Sequence, residues 1–176
     1  YYVIGADGKL KHKTRIDLSG PRLPHDMMFT PNWSILCDFP LFWDEELLKR
    51  DVHVTRLHEG LPSRFALIPR YGQPEEIRWF EADPTFVLHF INAYEDGDEV
   101  VLDGYFEEDP YPPPIESAGE YAHMMAYVDE HSFKPKLHRW RFNLADGTTK
   151  EERLDDRILE FGMMNQRYLG LPYRYA

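Results

Sequence analysis

The feature that most limits what this chain can fold into is a succession of short apolar or alternating segments separated by turn chemistry. Tyr1 to Ile4, the turn Ala6-Asp7-Gly8 and Lys9 to Ile16 read as a hairpin, since Asp-Gly supplies the positive φ that tight hairpin turns require. Lys136 to Leu144, the turn Ala145-Asp146-Gly147-Thr148 and Thr149 to Leu154 repeat that arrangement. Within it Leu137, Arg139, Arg141 and Asn143 alternate with His138, Trp140, Phe142 and Leu144, giving one polar and one mostly apolar face. Further strand candidates are Trp33 to Asp38, Arg64 to Pro69, Ile77 to Glu81, Phe86 to Ala93 and Glu99 to Phe106. This spacing belongs to sandwiches, barrels and propellers, so the expected class is all-β.

Phe86 to Ala93 is apolar on both alternations and is expected to be a strand buried on both faces, paired through Asp96-Gly97-Asp98 with Glu99 to Phe106. Glu45 to Arg50, after Pro40, reads as one short helical turn. Glu107 to Gly119 carries Pro110, Pro112, Pro113 and Pro114 among acidic residues and is expected to be a surface connection. Tyr121 to Val128 is ambiguous between strand and helix. Residues 1–176 are expected to be one domain, cut at both ends: the chain begins in strand character without an initiator methionine and stops as a new strand starts at Tyr173-Arg174-Tyr175.

With 43% hydrophobic and 15% aromatic residues, the chain can bury a core. Twenty basic against 31 acidic side chains give a net charge of -11, which repels phosphate backbones, so no nucleic acid partner is expected. The lone Cys37 lies in an apolar run where a free thiol behaves as a small hydrophobe. A reducing, cytoplasmic setting follows. No segment approaches the roughly 18 apolar residues of a membrane span, although a longer protein could still touch a membrane peripherally.

Eight histidines invite a metal reading. His12, His53, His58, His131 and His138 lie among charged and polar residues, as exposed histidines do, and His123, beside Met124 and Met125, suits a packing role. His25 and His89 differ. His25 leads from a proline-rich loop into an apolar run, and His89 has only apolar immediate neighbours in Phe86-Val87-Leu88-His89-Phe90-Ile91. A buried imidazole needs partners for both ring nitrogens. A metal on one and a carboxylate on the other would satisfy it, and so would ordinary core hydrogen bonds. No spacing links the two residues.

The run Pro24-His25-Asp26-Met27-Met28-Phe29-Thr30-Pro31-Asn32-Trp33 resembles the ligand-bearing segment of carotenoid cleavage oxygenases, and it is followed in family order by further matches. These are Arg64 to Gly72, Arg78 to Glu81, Phe86 to Glu95 with Asp98 and Val100 to Leu102, Leu137 to Arg141, Leu159-Glu160-Phe161 to Asn165, and Tyr168 with Gly170 through Tyr175. The resemblance implies about three blades of a seven-bladed β-propeller that holds Fe(II) through four histidines. His25 and His89 match the second and third ligands, and Glu160 matches a carboxylate hydrogen-bonded to the third. One departure stands out: the family pattern continues Glu-Phe-Pro, whereas this chain has Glu160-Phe161-Gly162. Asp26 is expected to cap loop backbone or pair with an arginine, and Asn92 and Glu95 to organise the turn after the His89 strand.

The activity implied is oxidative cleavage of a carbon-carbon double bond in a carotenoid, apocarotenoid or lignostilbene-type substrate, with O2 and a hydrophobic polyene or stilbene as partners. Retinoid isomerisation on the same scaffold and a non-catalytic binding module are the alternatives. With two ligands of four, the isolated 176 residues are expected to bind iron poorly and to turn nothing over.

Overall fold

The computed structural model describes residues 1–53, 55–110, 113–126 and 133–176. Two strands, β1 (Tyr2–Ile4) and β2 (Leu10–Lys13), form the first hairpin, with Gly8 at φ 73° in its turn. A four-stranded antiparallel sheet then forms from β3 (Met28–Phe29), β4 (Trp33–Asp38), β7 (Ser63–Pro69) and β8 (Arg78–Ala82), in that spatial order. Between β4 and β7 the chain makes a side hairpin of β5 (Leu41–Trp43) and β6 (Thr55–Leu57) around one helical turn, α1 (Glu45–Leu48). That turn starts where it does because the Asp44 carboxylate accepts from the Glu46 and Leu47 N–H groups, two donors that a helix start leaves open.

A second four-stranded meander follows: β9 (Phe90–Asp96), β10 (Glu99–Glu107), β11 (Pro135–Asn143) and β12 (Thr149–Ile158). The two sheets lie face to face with their first strands together, β3 beside β9, and their last strands together, β8 beside β12. Aromatic side chains fill the space between. Phe65 meets Trp140 at 5.5 Å and Phe142 at 5.0 Å between ring centres, and Phe80 meets Phe142 at 5.2 Å. Trp140, Phe65 and Phe142 are fully buried, and burying a large apolar side chain stabilises by about 1.5–3 kcal/mol.

Polar groups from neighbouring strands and from the terminal segments hold the outward faces of both sheets. Asp38, buried in the first sheet, accepts from Arg22 at 2.6 Å and Arg64 at 3.2 Å. Asp103, wholly buried in the second, accepts from Arg139 through two bonds of 2.7 and 2.9 Å and from the Tyr173 hydroxyl at 2.6 Å. Asn92 is also buried. Its amide donates to the Leu171 and Tyr168 carbonyls, and its oxygen accepts from the Gly170 N–H. Residues 165–176 are thereby fastened across the back of the second sheet.

Several expectations change. The strand expected over Phe86 to Ala93 begins only at Phe90 and runs to Asp96, so His89 precedes it in irregular chain and Leu88 is exposed. Val87 is buried and Phe86 packs on the core beside Phe39, while Phe86 to His89 crosses between sheets rather than pairing within one. Asn92 fixes the C-terminal segment and not the turn after β9. His138 is buried, not exposed: it projects from the apolar face of β11 and its Nε2 lies 3.2 Å from Glu151. His58 stacks on Phe42 at 3.7 Å, and His12 is half-buried against the Gly72 carbonyl. The ambiguous segment is helical at α2 (Ala122–Ala126), and its last two residues, with His131, lie outside the described residues, as does the His123 side chain.

Candidate functional site

His25 and His89 occupy equivalent places in the two sheets. Each lies in irregular chain just ahead of the first strand of its meander, His25 before β3 and His89 before β9. Because β3 and β9 are neighbours, the two imidazoles meet: their ring centres are 5.3 Å apart at an interplanar angle of 81°. Behind His89, its Nδ1 donates to Glu160 Oε2 at 3.0 Å, with both side chains a little over one quarter exposed. That bond fixes the tautomer and leaves Nε2 with its lone pair. Phe161 sets its ring edge-on to His89, 4.5 Å away, and its N–H donates back to the Glu160 carboxylate.

Two carboxylates strap the His25 segment to the His89 segment. Asp26 accepts from the Phe90 N–H at 3.0 Å and from the Met27 N–H at 2.7 Å, so it caps loop backbone as expected. Glu95 departs from its expected turn role. It accepts from the buried Thr30 hydroxyl at 2.5 Å, the Asn32 N–H at 3.0 Å and the Asn32 amide at 2.8 Å. The sequence carries little sign of either strap, because an acid at the end of a strand looks the same whether it faces water or another segment.

Burial alone would raise the Glu95 pKa, but hydrogen bonds from Thr30 and Asn32 outweigh it and hold the group below its ordinary range. A depressed folded-state value means stability that is present above the unfolded glutamate pKa and lost as pH falls through the folded one. Glu95→Gln should therefore flatten the acid limb of stability below about pH 4.5, and thermal melts of both proteins from pH 3 to 7 will measure it. An identical acid limb in the variant would show that the strap is energetically idle.

An apolar recess of about 280 Å³ opens beside this centre, with Leu41, Phe86, Leu88, Tyr105 and Glu160 among its lining residues. Burial first, and then the charge of Glu160, push the Tyr105 phenol above its ordinary range, so it stays a neutral hydroxyl. Among the described residues, no group of three or more His, Cys, Asp or Glu is placed to hold a metal ion. What the segment offers is a pair of imidazoles. No helix of the described residues is long and apolar enough to cross a membrane.

Two successive four-stranded meanders packed face to face, their first strands side by side at one edge, define the class: a partial β-propeller. The chain belongs to the carotenoid cleavage oxygenase family, matched over residues 1–176 as retinal pigment epithelial membrane protein. It is 31% identical to a carotenoid 9,10(9',10')-cleavage dioxygenase of Pisum sativum, over all of this chain and 32% of that protein. It is 29% identical to an isoeugenol monooxygenase of Pseudomonas putida, over 36% of that protein. The lignostilbene dioxygenase of Pseudomonas brassicacearum superposes with a TM-score of 0.77 at 25% identity, across 98% of this chain and 36% of that one. The chain thus spans about a third of the length of the relatives it matches.

Proposed function

We propose that His25 and His89 are two of four imidazole ligands to Fe(II) in the protein that carries this segment, and that this protein uses O2 to cleave a carbon-carbon double bond in a carotenoid, apocarotenoid or stilbene-type substrate. One observation carries the reading: two imidazoles from the segments that lead into separate sheets converge at 5.3 Å, and one has its far nitrogen held by a carboxylate. Imidazoles sharing one ion at adjacent positions, each through a bond of ~2 Å, have ring centres on the order of 5 Å apart. The donor set also fits, since neutral imidazole suits iron. When bound, Fe(II) with four imidazole ligands supplies open coordination positions for O2 activation.

The chain's own residues have definite parts in this. Glu160 holds the Nδ1 proton of His89 and so keeps Nε2 turned toward the ligand position. Asp26 and Glu95 keep the two histidine segments in register. The recess beside Glu160 offers an apolar wall to a hydrocarbon substrate. In the overall change both atoms of O2 end in the products, one on each carbon of the former double bond, so no external reductant is consumed. The reading draws its substrate class from the relatives, which act on carotenoids, stilbenes and isoeugenol by their names.

The test is to load the full-length protein with Fe(II) and supply O2 with a panel of carotenoids, apocarotenoids and stilbenes. Two carbonyl products in equal amounts, with one O2 consumed per cleavage, are expected. Isomerised substrate without O2 uptake would instead establish the isomerase reading, and binding without any turnover would leave a binding module.

A further inference from the structure

The turn that follows Glu160 is unusual in two respects. Phe161 has φ 60°, a left-handed conformation that residues with a Cβ adopt only when their surroundings impose it. Gly162, next to it, has no room for a side chain: a Cβ there would run into the Tyr105 hydroxyl and come within 2.9 Å of Ile91. Both neighbours are fixed. Ile91 lies in β9 and Tyr105 in β10, and both are buried. The Tyr105 hydroxyl therefore packs directly against the Gly162 backbone.

We propose that Tyr105 is a positioning residue for the His89 centre. Its hydroxyl, seated on the Gly162 backbone, pins the Phe161-Gly162 turn to the second sheet and thereby holds the Glu160 carboxylate against His89 Nδ1. This deepens the reading of His89 as a ligand and rests on it. Two features of the turn oppose proline at position 162: its ring would occupy the space that the Tyr105 hydroxyl fills, and it drives the preceding residue toward extended backbone. Phe161 at φ 60° is not extended. Proline, which the family pattern places after Glu-Phe, is therefore expected to weaken this centre, although elsewhere it would stiffen a turn.

The experiment uses the full-length protein loaded with Fe(II) alone, in wild-type form and as Tyr105→Phe, Gly162→Ala, Gly162→Pro and, as a reference, Glu160→Gln. Release of iron to a chelator is measured beside the thermal midpoint, and the Co(II)-loaded forms report coordination through their ligand-field spectra. Loss of a hydrogen-bond partner behind a ligating histidine typically costs about 10–100-fold in metal affinity. Glu160→Gln should approach that range, Gly162→Pro should reach a similar loss, and Tyr105→Phe should release iron several-fold faster with a changed Co(II) spectrum at an unchanged midpoint. Wild-type release and spectrum in folded Tyr105→Phe or Gly162→Ala, while Glu160→Gln is impaired, would overturn the positioning role and spare the His89 reading. A lowered midpoint as the sole effect of these variants would overturn that role equally. Wild-type iron retention in Glu160→Gln as well would overturn both.

Discussion

Replacing His89 with alanine in the full-length protein is expected to empty the proposed iron site and abolish turnover while leaving the fold intact, and His25→Ala is expected to do the same. Neither side chain belongs to the aromatic core between the sheets; His25 is exposed and His89 half-buried, each in chain that only leads into a strand. Substitutions outside packed cores usually change stability by no more than about 0.5 kcal/mol. The loss of a ligand, in contrast, should exceed the ~10–100-fold affinity cost of losing a partner behind one. Metal analysis of purified protein, thermal melting and product formation separate these effects. Full iron content and turnover in either variant would reduce the 5.3 Å approach of the rings to an edge-to-face packing contact.

The largest stability effect should come from Asp103→Ala. This carboxylate is wholly buried in β10 and takes three hydrogen bonds, two from the Arg139 guanidinium and one from Tyr173. Removing it strands Arg139, whose side chain is only 23% exposed, next to an unpaired phenol. Breaking a buried pair from one side costs about 3–5 kcal/mol, because the remaining charge keeps its desolvation penalty and loses its partner. The Asp103 bond, with its negative charge, raises the Arg139 pKa against the opposing effect of burial, and burial with that same charge raises Tyr173. Both groups thus stay protonated, and their donors depend on this one acceptor. Asp103→Asn keeps an acceptor oxygen and should lose about half as much. Urea unfolding of the three proteins will measure the differences, and equal midpoints would mean that residues 165–176 are held by Asn92 alone.

The same network shows why parts of the site are hard to read from the chain. Tyr173 and Asp103 stand far apart in sequence, and nothing local marks them as partners. Asn92 looks like a turn residue because Asn favours turns, yet it lies inside β9 and holds three backbone groups of the C-terminal segment. His138 looks exposed because its neighbours Arg139 and Arg141 are charged, but alternation puts it on the other face with Trp140 and Phe142. Gly162 stands in the sequence only as a departure from the family's proline, whereas the structure presses Tyr105 and Ile91 onto the position.

Period-two alternation and Asp-Gly turns are enough to place most strands and the all-β class, because both are local: a pleated strand shows alternate side chains to alternate faces, and a hairpin turn needs its positive φ within two residues. The convergence of His25 and His89 is of another kind. It arises because each precedes the first strand of a four-stranded meander and those first strands lie side by side. Only the packing of one whole sheet on the next brings the two rings to a common point, and an interaction between groups so distant along the chain leaves no period or spacing in the sequence.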